Sequence, residues 1–185
     1  KVMAKFYDSI SQKHQEFIQA QKMFFVATAA EDGRINLSPK GLDSLRVLDN
    51  NRVVWLNLTG SGNETAAHLK LVNRMTIMFC SFEGNPLIMR LYGTARAIHT
   101  QDSDWNEYYK HFDASRGARQ IFEMKVETLQ TSCGFAVPLM QYTADRDILD
   151  DWVDKKTDAE IQEYWAKKNQ ESIDGKPTGI FEGAS

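Results

Sequence analysis

The chain has 185 residues, 42% of them hydrophobic, and a formal net charge of -3. These values predict one compact domain over residues 1–185, with its core at about 23–140 and a C-terminal extension at about 141–185. The slightly acidic balance argues against a nucleic-acid partner, and no apolar run reaches the roughly 18 residues of a membrane-spanning helix. We therefore expect a cytoplasmic protein with neither a nucleic-acid nor a membrane partner.

The N-terminal part of the chain predicts a helix followed by a β-hairpin. Ser9 or Ser11 can cap a helix that ends near residue 22. Residues 23–30 form an apolar strand, and the Asp32-Gly33 turn signal leads into a second strand at 35–41. Alternation along this second strand places Asn36, Ser38 and Lys40 on one face, and Pro39 predicts a position at the edge of a sheet.

Strand patterns dominate the middle of the chain and helical patterns its end. Further strands are predicted at 45–48, 52–58, 74–82, 87–98 and 121–131, with short helices at about 64–73 and 103–112 and tail helices at 145–155 and 157–169. Gly93 marks a bulge or a close approach within its strand, and Arg96 is expected to face solvent. Six to seven antiparallel strands with few helices predict a mainly β fold, a closed or partly closed barrel with a helical C-terminal tail.

The most informative motif is the segment Thr59-Gly60-Ser61-Gly62-Asn63-Glu64-Thr65, where a strand gives way to a helix. Glycines allow backbone N–H groups to turn inward, Asn63 or Ser61 can cap the helix, and the free amides of its first turn favour an anion. Thr65 adds a hydroxyl donor, whereas the carboxylate of Glu64 would repel a phosphate. The motif predicts a phosphate site, and an ordinary glycine-rich connection is the alternative.

Other kinds of site find little support in the sequence. The four histidines lie on different predicted elements, so no metal site is expected. Cys133 has no local base beside it, and neither a Rossmann nor a Walker motif occurs. The two cysteines fit reduced thiols, and no side chain is identified as a catalytic acid or base.

The order of these segments resembles the FMN-binding split-barrel family related to pyridoxamine 5'-phosphate oxidase. The resemblance rests on the Ser38-Pro39-Lys40-Gly41 segment, on the glycine motif and the helix after it, and on the strands at 74–79 and 90–96. The tail at 168–175 also resembles the end of a subgroup of this family. The similarity covers about residues 23–175 and implies an antiparallel split β-barrel.

The resemblance further implies a homodimer that holds FMN in a groove between its subunits. Ser38, Lys40 and Gly41 match the strand beside the flavin ring. The residues that match the phosphate turn are Thr59, Ser61, Gly62, Asn63 and Thr65. The segment at 130–135 would reach the cofactor of the partner chain, and a cation such as Lys40 would stabilise negative charge on the phosphate or the reduced ring.

One departure from the family pattern bears on the activity. Authentic pyridoxamine-phosphate oxidases carry an Arg-Lys pair in the phosphate turn, where this chain has Glu64-Thr65, and a basic substrate-binding segment that is not found here. This argues against vitamin B6 oxidation, and Lys40 would need help from an arginine such as Arg46, Arg74 or Arg90. The resulting hypothesis is an FMN-dependent oxidoreductase that acts on a small molecule by hydride transfer at the flavin.

Three alternatives stay open at this point. The first is a flavin-binding or sensing module without turnover, and the second is a split barrel that binds haem or a deazaflavin. The third is a barrel whose cofactor groove is empty. A haem site would require a histidine such as His68 or His99 at the groove.

Overall fold

A computed structural model describes residues 4–183 of the chain. In chain order, its elements are β1 Ala4–Tyr7, α1 Gln12–Ala20, β2 Phe24–Thr28, β3 Asn36–Lys40, β4 Leu45–Asp49, β5 Arg52–Leu58, α2 Glu64–Leu71, β6 Arg74–Cys80, β7 Ile88–His99, α3 Trp105–Tyr109, β8 Ala118–Ser132, α4 Ile148–Asp154 and α5 Asp158–Lys168. Most regular structure is thus antiparallel sheet, as predicted. No helix in this part of the chain is long and apolar enough to cross a membrane.

The eight strands form one antiparallel sheet that curls without closing. Their order is β3-β2-β6-β7-β8-β5-β4, and β1 pairs with β8 beside this path. Within the described residues β3 and β4 are edge strands that do not pair with each other, so the barrel is split between them. The sheet has one strand more than predicted, because four-residue β1 is too short to show an alternating pattern.

Several local predictions are confirmed by the register of the sheet. Strands β2 and β3 form the predicted hairpin, with Gly33 at a φ of +90° in its turn. The ladder between β7 and β8 shifts register at Gly93, where a Cβ atom would lie 1.9 Å from the carbonyl oxygen of Lys125. The side chain of Arg96, on β7, is half-exposed and pairs with Asp104 and Glu123. The glycine and bulge therefore let two long strands approach closely.

The interior of the barrel is filled by large apolar side chains. Trp55 stacks on Phe122 with ring centroids 4.5 Å apart, and both side chains are fully buried. The tail packs against this barrel through α5, whose buried Ile161 and Trp165 lie with Val153 in a separate apolar cluster. Thr157 and Glu160 form the predicted capping box at the start of α5. The tail helix is thus held in a fixed position relative to the sheet.

Candidate functional site

The polar face of edge strand β3 points into the mouth of the split barrel. The Asn36 side chain donates to the hydroxyl of Thr28 and to that of Thr65, at 3.1 Å each. Ser38 donates in turn to the Asn36 side-chain oxygen at 2.8 Å. The predicted alternation along this strand is therefore correct, and the polar face is tied to the first turn of α2 through Thr65.

The side chain of Lys40 reaches from edge strand β3 to β5, the neighbour of edge strand β4. Its Nζ lies 3.4 Å from Oδ1 of Asn57 on β5 and 5.0 Å from the centroid of the Trp55 ring. Asn57 donates to the side chain of Gln120 on β8 at 3.1 Å, which fixes its amide. No carboxylate within residues 4–183 forms a salt bridge with Lys40. Its neighbours are thus a neutral amide and an aromatic face.

This environment lowers the pKa of Lys40 to about 8. Burial is the main cause, because removing an ammonium from water disfavours its charged form. The positive charge of Arg119 lowers the pKa further, and the negative charge of Glu64 raises it. At neutral pH Lys40 is therefore a half-buried cation whose charge the chain neutralises only in part.

Arg119, on β8, is a second cation beside the glycine turn. The residue is 2% exposed, and its guanidinium donates to the carbonyl of Gly60 at 2.7 Å and to that of Gly62. Its Nε has no hydrogen-bond partner, and no carboxylate in the described range forms a salt bridge with it. Burial lowers its pKa to about 10, with Tyr164 and Glu64 acting in the opposite direction. Arg119 therefore stays charged at neutral pH and holds the turn from one side.

The C-terminal tail holds the same turn from another side. Asn63 occupies the N-cap position of α2, but its side chain makes no cap hydrogen bond. It donates instead to the carbonyl of Lys168 at 2.7 Å and accepts a hydrogen bond from Asn169 at 2.8 Å. Asn63 therefore takes the predicted N-cap position, but its side chain bonds the tail and does not cap the helix.

Glu64 is engaged by backbone amides. Its carboxylate accepts hydrogen bonds from the N–H of Asn63 at 3.0 Å and from the N–H of Ile173 at 2.9 Å. Burial alone would raise its pKa, but these amides hold the pKa of Glu64 below its usual value. The helix start thus already holds one negative charge, which is what its amides favour. The same carboxylate fastens the tail to the turn.

Thr59 joins the turn to the tail through its hydroxyl. Its Oγ1 donates to the carbonyl of Gly117 at 2.9 Å and accepts from Nε1 of Trp165 at 3.0 Å. Because a hydroxyl carries one proton, Thr59 has no donor left for a ligand. Thr65 differs, since its oxygen accepts from Asn36 and its proton stays available.

The structure brings most of the predicted site residues to one end of the barrel. Ser38 and Thr65 are linked through Asn36, whereas Lys40 bonds Asn57 separately. Thr59, Gly62 and Asn63 are held by Arg119 and the tail. Ser61 is exposed, and the carbonyl of Gly41 accepts from the hydroxyl of Ser44 at 2.7 Å. The predicted residues therefore lie on the polar face of β3 and at the glycine turn with the start of α2, and Asn36 joins the two through Thr65.

The arginine beside the turn is not one of the three that the sequence offered. Arg46 donates to the carbonyl of His111, Arg74 is exposed, and Arg90 lies 3.5 Å from the Ser132 hydroxyl. Arg119 occupies that place instead. It precedes the predicted strand at 121–131, and only the pairing of β8 with β5 brings it to the turn.

Residues 10–133 match the model of the pyridoxamine 5'-phosphate oxidase family. A curated relative from Aspergillus flavus, the pyridoxamine 5'-phosphate oxidase family protein ustO, is 37% identical over 193 residues, which cover 95% of this chain and 78% of the relative. The chain therefore belongs to the pyridoxamine 5'-phosphate oxidase family.

Solved structures support the same architecture. The crystal structure of HupZ from Group A Streptococcus aligns with a TM-score of 0.52 at 21% identity, over 65% of this chain and 97% of that one. A Lactobacillus delbrueckii protein, provisionally assigned as a pyridoxamine 5'-phosphate oxidase, aligns with a TM-score of 0.52 at 16% identity, over 66% of this chain and 94% of its own. At these identities the likeness confirms the split-barrel fold.

Proposed function

We propose that this chain is a cytoplasmic, FMN-binding oxidoreductase that places the phosphate of the flavin at the glycine turn and the ring against residues 38–41. The observation that carries the proposal is a pair of cations, half-buried Lys40 and fully buried Arg119, which no carboxylate of residues 4–183 neutralises through a salt bridge. A phosphate monoester carries a charge of about -1.5 to -2 at neutral pH, so its charge matches that of the two cations.

The donors at this site also fit a phosphate. The hydroxyl proton of Thr65 and two protons of the Lys40 ammonium are not used within the chain, and the buried guanidinium of Arg119 adds positive charge behind the turn. Gly62 and Ser61 supply the backbone of the turn, and a Cβ at Gly62 would meet nothing within 4 Å, which leaves room beside it. Thr59 and Asn63 act by positioning, because their own polar atoms are used within the chain.

When bound, FMN supplies hydride chemistry at its ring, and the chain supplies binding and orientation. Lys40 is the titratable group of the site, and with a pKa of about 8 its Nζ can hold or release a proton near neutral pH. Ser38 keeps acceptor capacity on its oxygen after donating to Asn36, so it can orient a polar edge of the ring. Oxidation of vitamin B6 is not part of the proposal.

A homodimer forms part of the same proposal. The register places Leu37 and Phe6 on the outer face of the sheet, and each is 66% exposed. Gln130 and Ser132 lie on that face as well, where they contact Tyr92 and Arg90. Exposed apolar side chains on a broad sheet face indicate an interaction surface. A second copy seated there would bring the segment at 130–135 towards the partner's cofactor groove.

Haem is less well supported than flavin. A haem ligand at the groove would have to be an accessible histidine, whereas His68 is fully buried with its Nδ1 3.1 Å from the hydroxyl of Thr28. His99 is also buried, and its Nδ1 lies 3.4 Å from the side chain of Gln120. Neither ring is therefore exposed as an accessible haem ligand.

The proposal is tested by an absorption spectrum of the purified protein, mass identification of any released cofactor, and titration of the emptied protein with FMN. We expect oxidised-flavin bands, FMN as the released species, and a dimer mass by light scattering. A colourless protein that does not bind added FMN at micromolar concentration would refute flavin binding. Bound flavin that neither nicotinamides nor common reductants reduce at a useful rate would favour a binding or sensing module over an enzyme.

A further inference from the structure

We propose that Arg119 is a positioning residue that fixes the glycine turn for a phosphate and makes ligand affinity depend on that phosphate. The inference rests on the proposed function, because it concerns the same site. It assigns to one buried side chain on β8 the role that the sequence alone would give to arginines elsewhere.

The guanidinium group of Arg119 holds the glycine turn at two points. Arg119 donates to two carbonyls that are two residues apart, those of Gly60 and Gly62. In a trans peptide the carbonyl and the following N–H point in opposite directions, and the described residues contain no cis peptide bond. The N–H groups of Ser61 and Asn63 therefore point away from the guanidinium. Arg119 thus turns the amide side of the loop outward.

The amide side of the turn already bonds one carboxylate of the chain. The N–H of Asn63 donates to the carboxylate of Glu64 at 3.0 Å. An acidic group of the chain thus already lies on the face opposite Arg119, as expected where amides and a helix start converge. A ligand phosphate would meet the same face through Ser61 and the first turn of α2.

The charge of Arg119 is not neutralised by a carboxylate of the described residues. An arginine that merely braced a turn could pair with a nearby carboxylate, and Glu64 is close enough to influence its pKa. Glu64 instead uses its two oxygens on the N–H groups of Asn63 and Ile173. The buried guanidinium therefore keeps an unneutralised charge and an unpartnered Nε, an arrangement that is costly in isolation and favourable beside an anion.

Substitutions can separate the two hydrogen bonds that Arg119 donates to the turn from the effect of its charge. Arg119→Lys keeps a cation but cannot hold two carbonyls at once, and Arg119→Met removes both. Arg74→Met is the matched control, because Arg74 is exposed at the start of β6 and was a sequence candidate for the same role. Circular dichroism melting establishes whether each variant folds. If Arg119→Met does not fold, Arg119→Lys alone still decides the test.

The experiment compares the affinities of each variant for FMN and for riboflavin, which lacks the phosphate. We expect wild type to prefer FMN strongly, Arg119→Met to lose about 10- to 100-fold in FMN affinity, and Arg119→Lys to fall between the two. Riboflavin affinity should change by less than about threefold in every variant, and Arg74→Met should match wild type. Equal losses for both ligands, or unchanged FMN affinity, would overturn the assignment.

A second readout separates this inference from the proposed function. Inorganic phosphate should raise the melting temperature of the flavin-free wild type, and this rise should be lost in Arg119→Lys. If wild type binds no flavin, the proposed function fails, and the phosphate response then decides the role of Arg119 by itself. A phosphate response that is the same in wild type and both variants would refute that role.

Discussion

Replacing Lys40 with methionine should stabilise the ligand-free protein while it weakens phosphate binding. The ammonium of half-buried Lys40 lies beside Asn57 and the ring of Trp55, and no carboxylate in the described range pairs with it. Methionine keeps a long, flexible side chain over the Trp55 ring and removes the charge. The substitution therefore separates the cost of burying a cation from the packing of its aliphatic part.

The expected size follows from the pKa of Lys40, which falls from 10.5 to about 8. One pKa unit corresponds to about 1.4 kcal/mol, so burying the charged form costs the folded protein up to about 3 kcal/mol. The lost hydrogen bond to Asn57 offsets part of this gain. We expect Lys40→Met to raise the free energy of unfolding by about 1 to 3 kcal/mol at pH 7.

The pH dependence of this difference has a definite sign. Below pH 8 the ammonium is charged in both the folded and the unfolded chain, so the cost is fully present. Between pH 8 and 10.5 the folded protein releases the proton while the unfolded chain retains it. The stability of wild type relative to the variant should therefore rise across this interval and level off above it.

Urea denaturation between pH 7 and 10.5 measures the difference in unfolding free energy between wild type and Lys40→Met. Lys13→Met, at an exposed position of α1, is the control and should show no such difference. Saturating FMN should then favour wild type, since a ligand at about 100 times its Kd adds about 2.7 kcal/mol to the folded state. A Lys40→Met protein that is less stable than wild type at pH 7, or a difference that is constant with pH, would refute the reasoning.

Two further substitutions test how the site and the sheet are supported. Trp165→Phe removes the indole donor to Thr59, so it should lower the free energy of unfolding by about 1 kcal/mol and weaken FMN binding. Calorimetry and FMN titration measure these two effects. If both match wild type, the tail does not support the turn. Gly93→Ala places a methyl group against the carbonyl of Lys125 and should cost about 2 kcal/mol or more, whereas Gly60→Ala, with open space around it, should have a smaller effect on the denaturation midpoint. Similar losses in the two glycine variants would show that the close approach is not what requires glycine at position 93.

The sheet could be predicted from the sequence because its determinants are local. The Asp32-Gly33 turn, the alternation from Asn36 to Lys40 and the capping box at Thr157 each act over a few residues, and the structure keeps all three. Strand β1 was missed because its four residues form a strand only by pairing with β8.

The site was predictable only in part because its determinants are distant in sequence. Lys40 and Thr65 follow from strand alternation and from the glycine motif. Arg119 reaches the turn through a ladder whose strands lie about 60 residues apart, and Asn63 exchanges its expected cap for contacts more than 100 residues away. Local preference predicts a cap at Asn63, and the long-range hydrogen bonds of the tail outweigh it.

The tail also bears on how ligands can be compared within this family. The family match ends at residue 133, yet Trp165, Asn169 and Ile173, which hold the turn, all follow it. Two chains can therefore share the matched barrel and still differ in what packs behind the glycine turn. Ligand choice could then diverge without any change in the shared barrel, and exchanging tails between family members offers a direct way to redesign that choice.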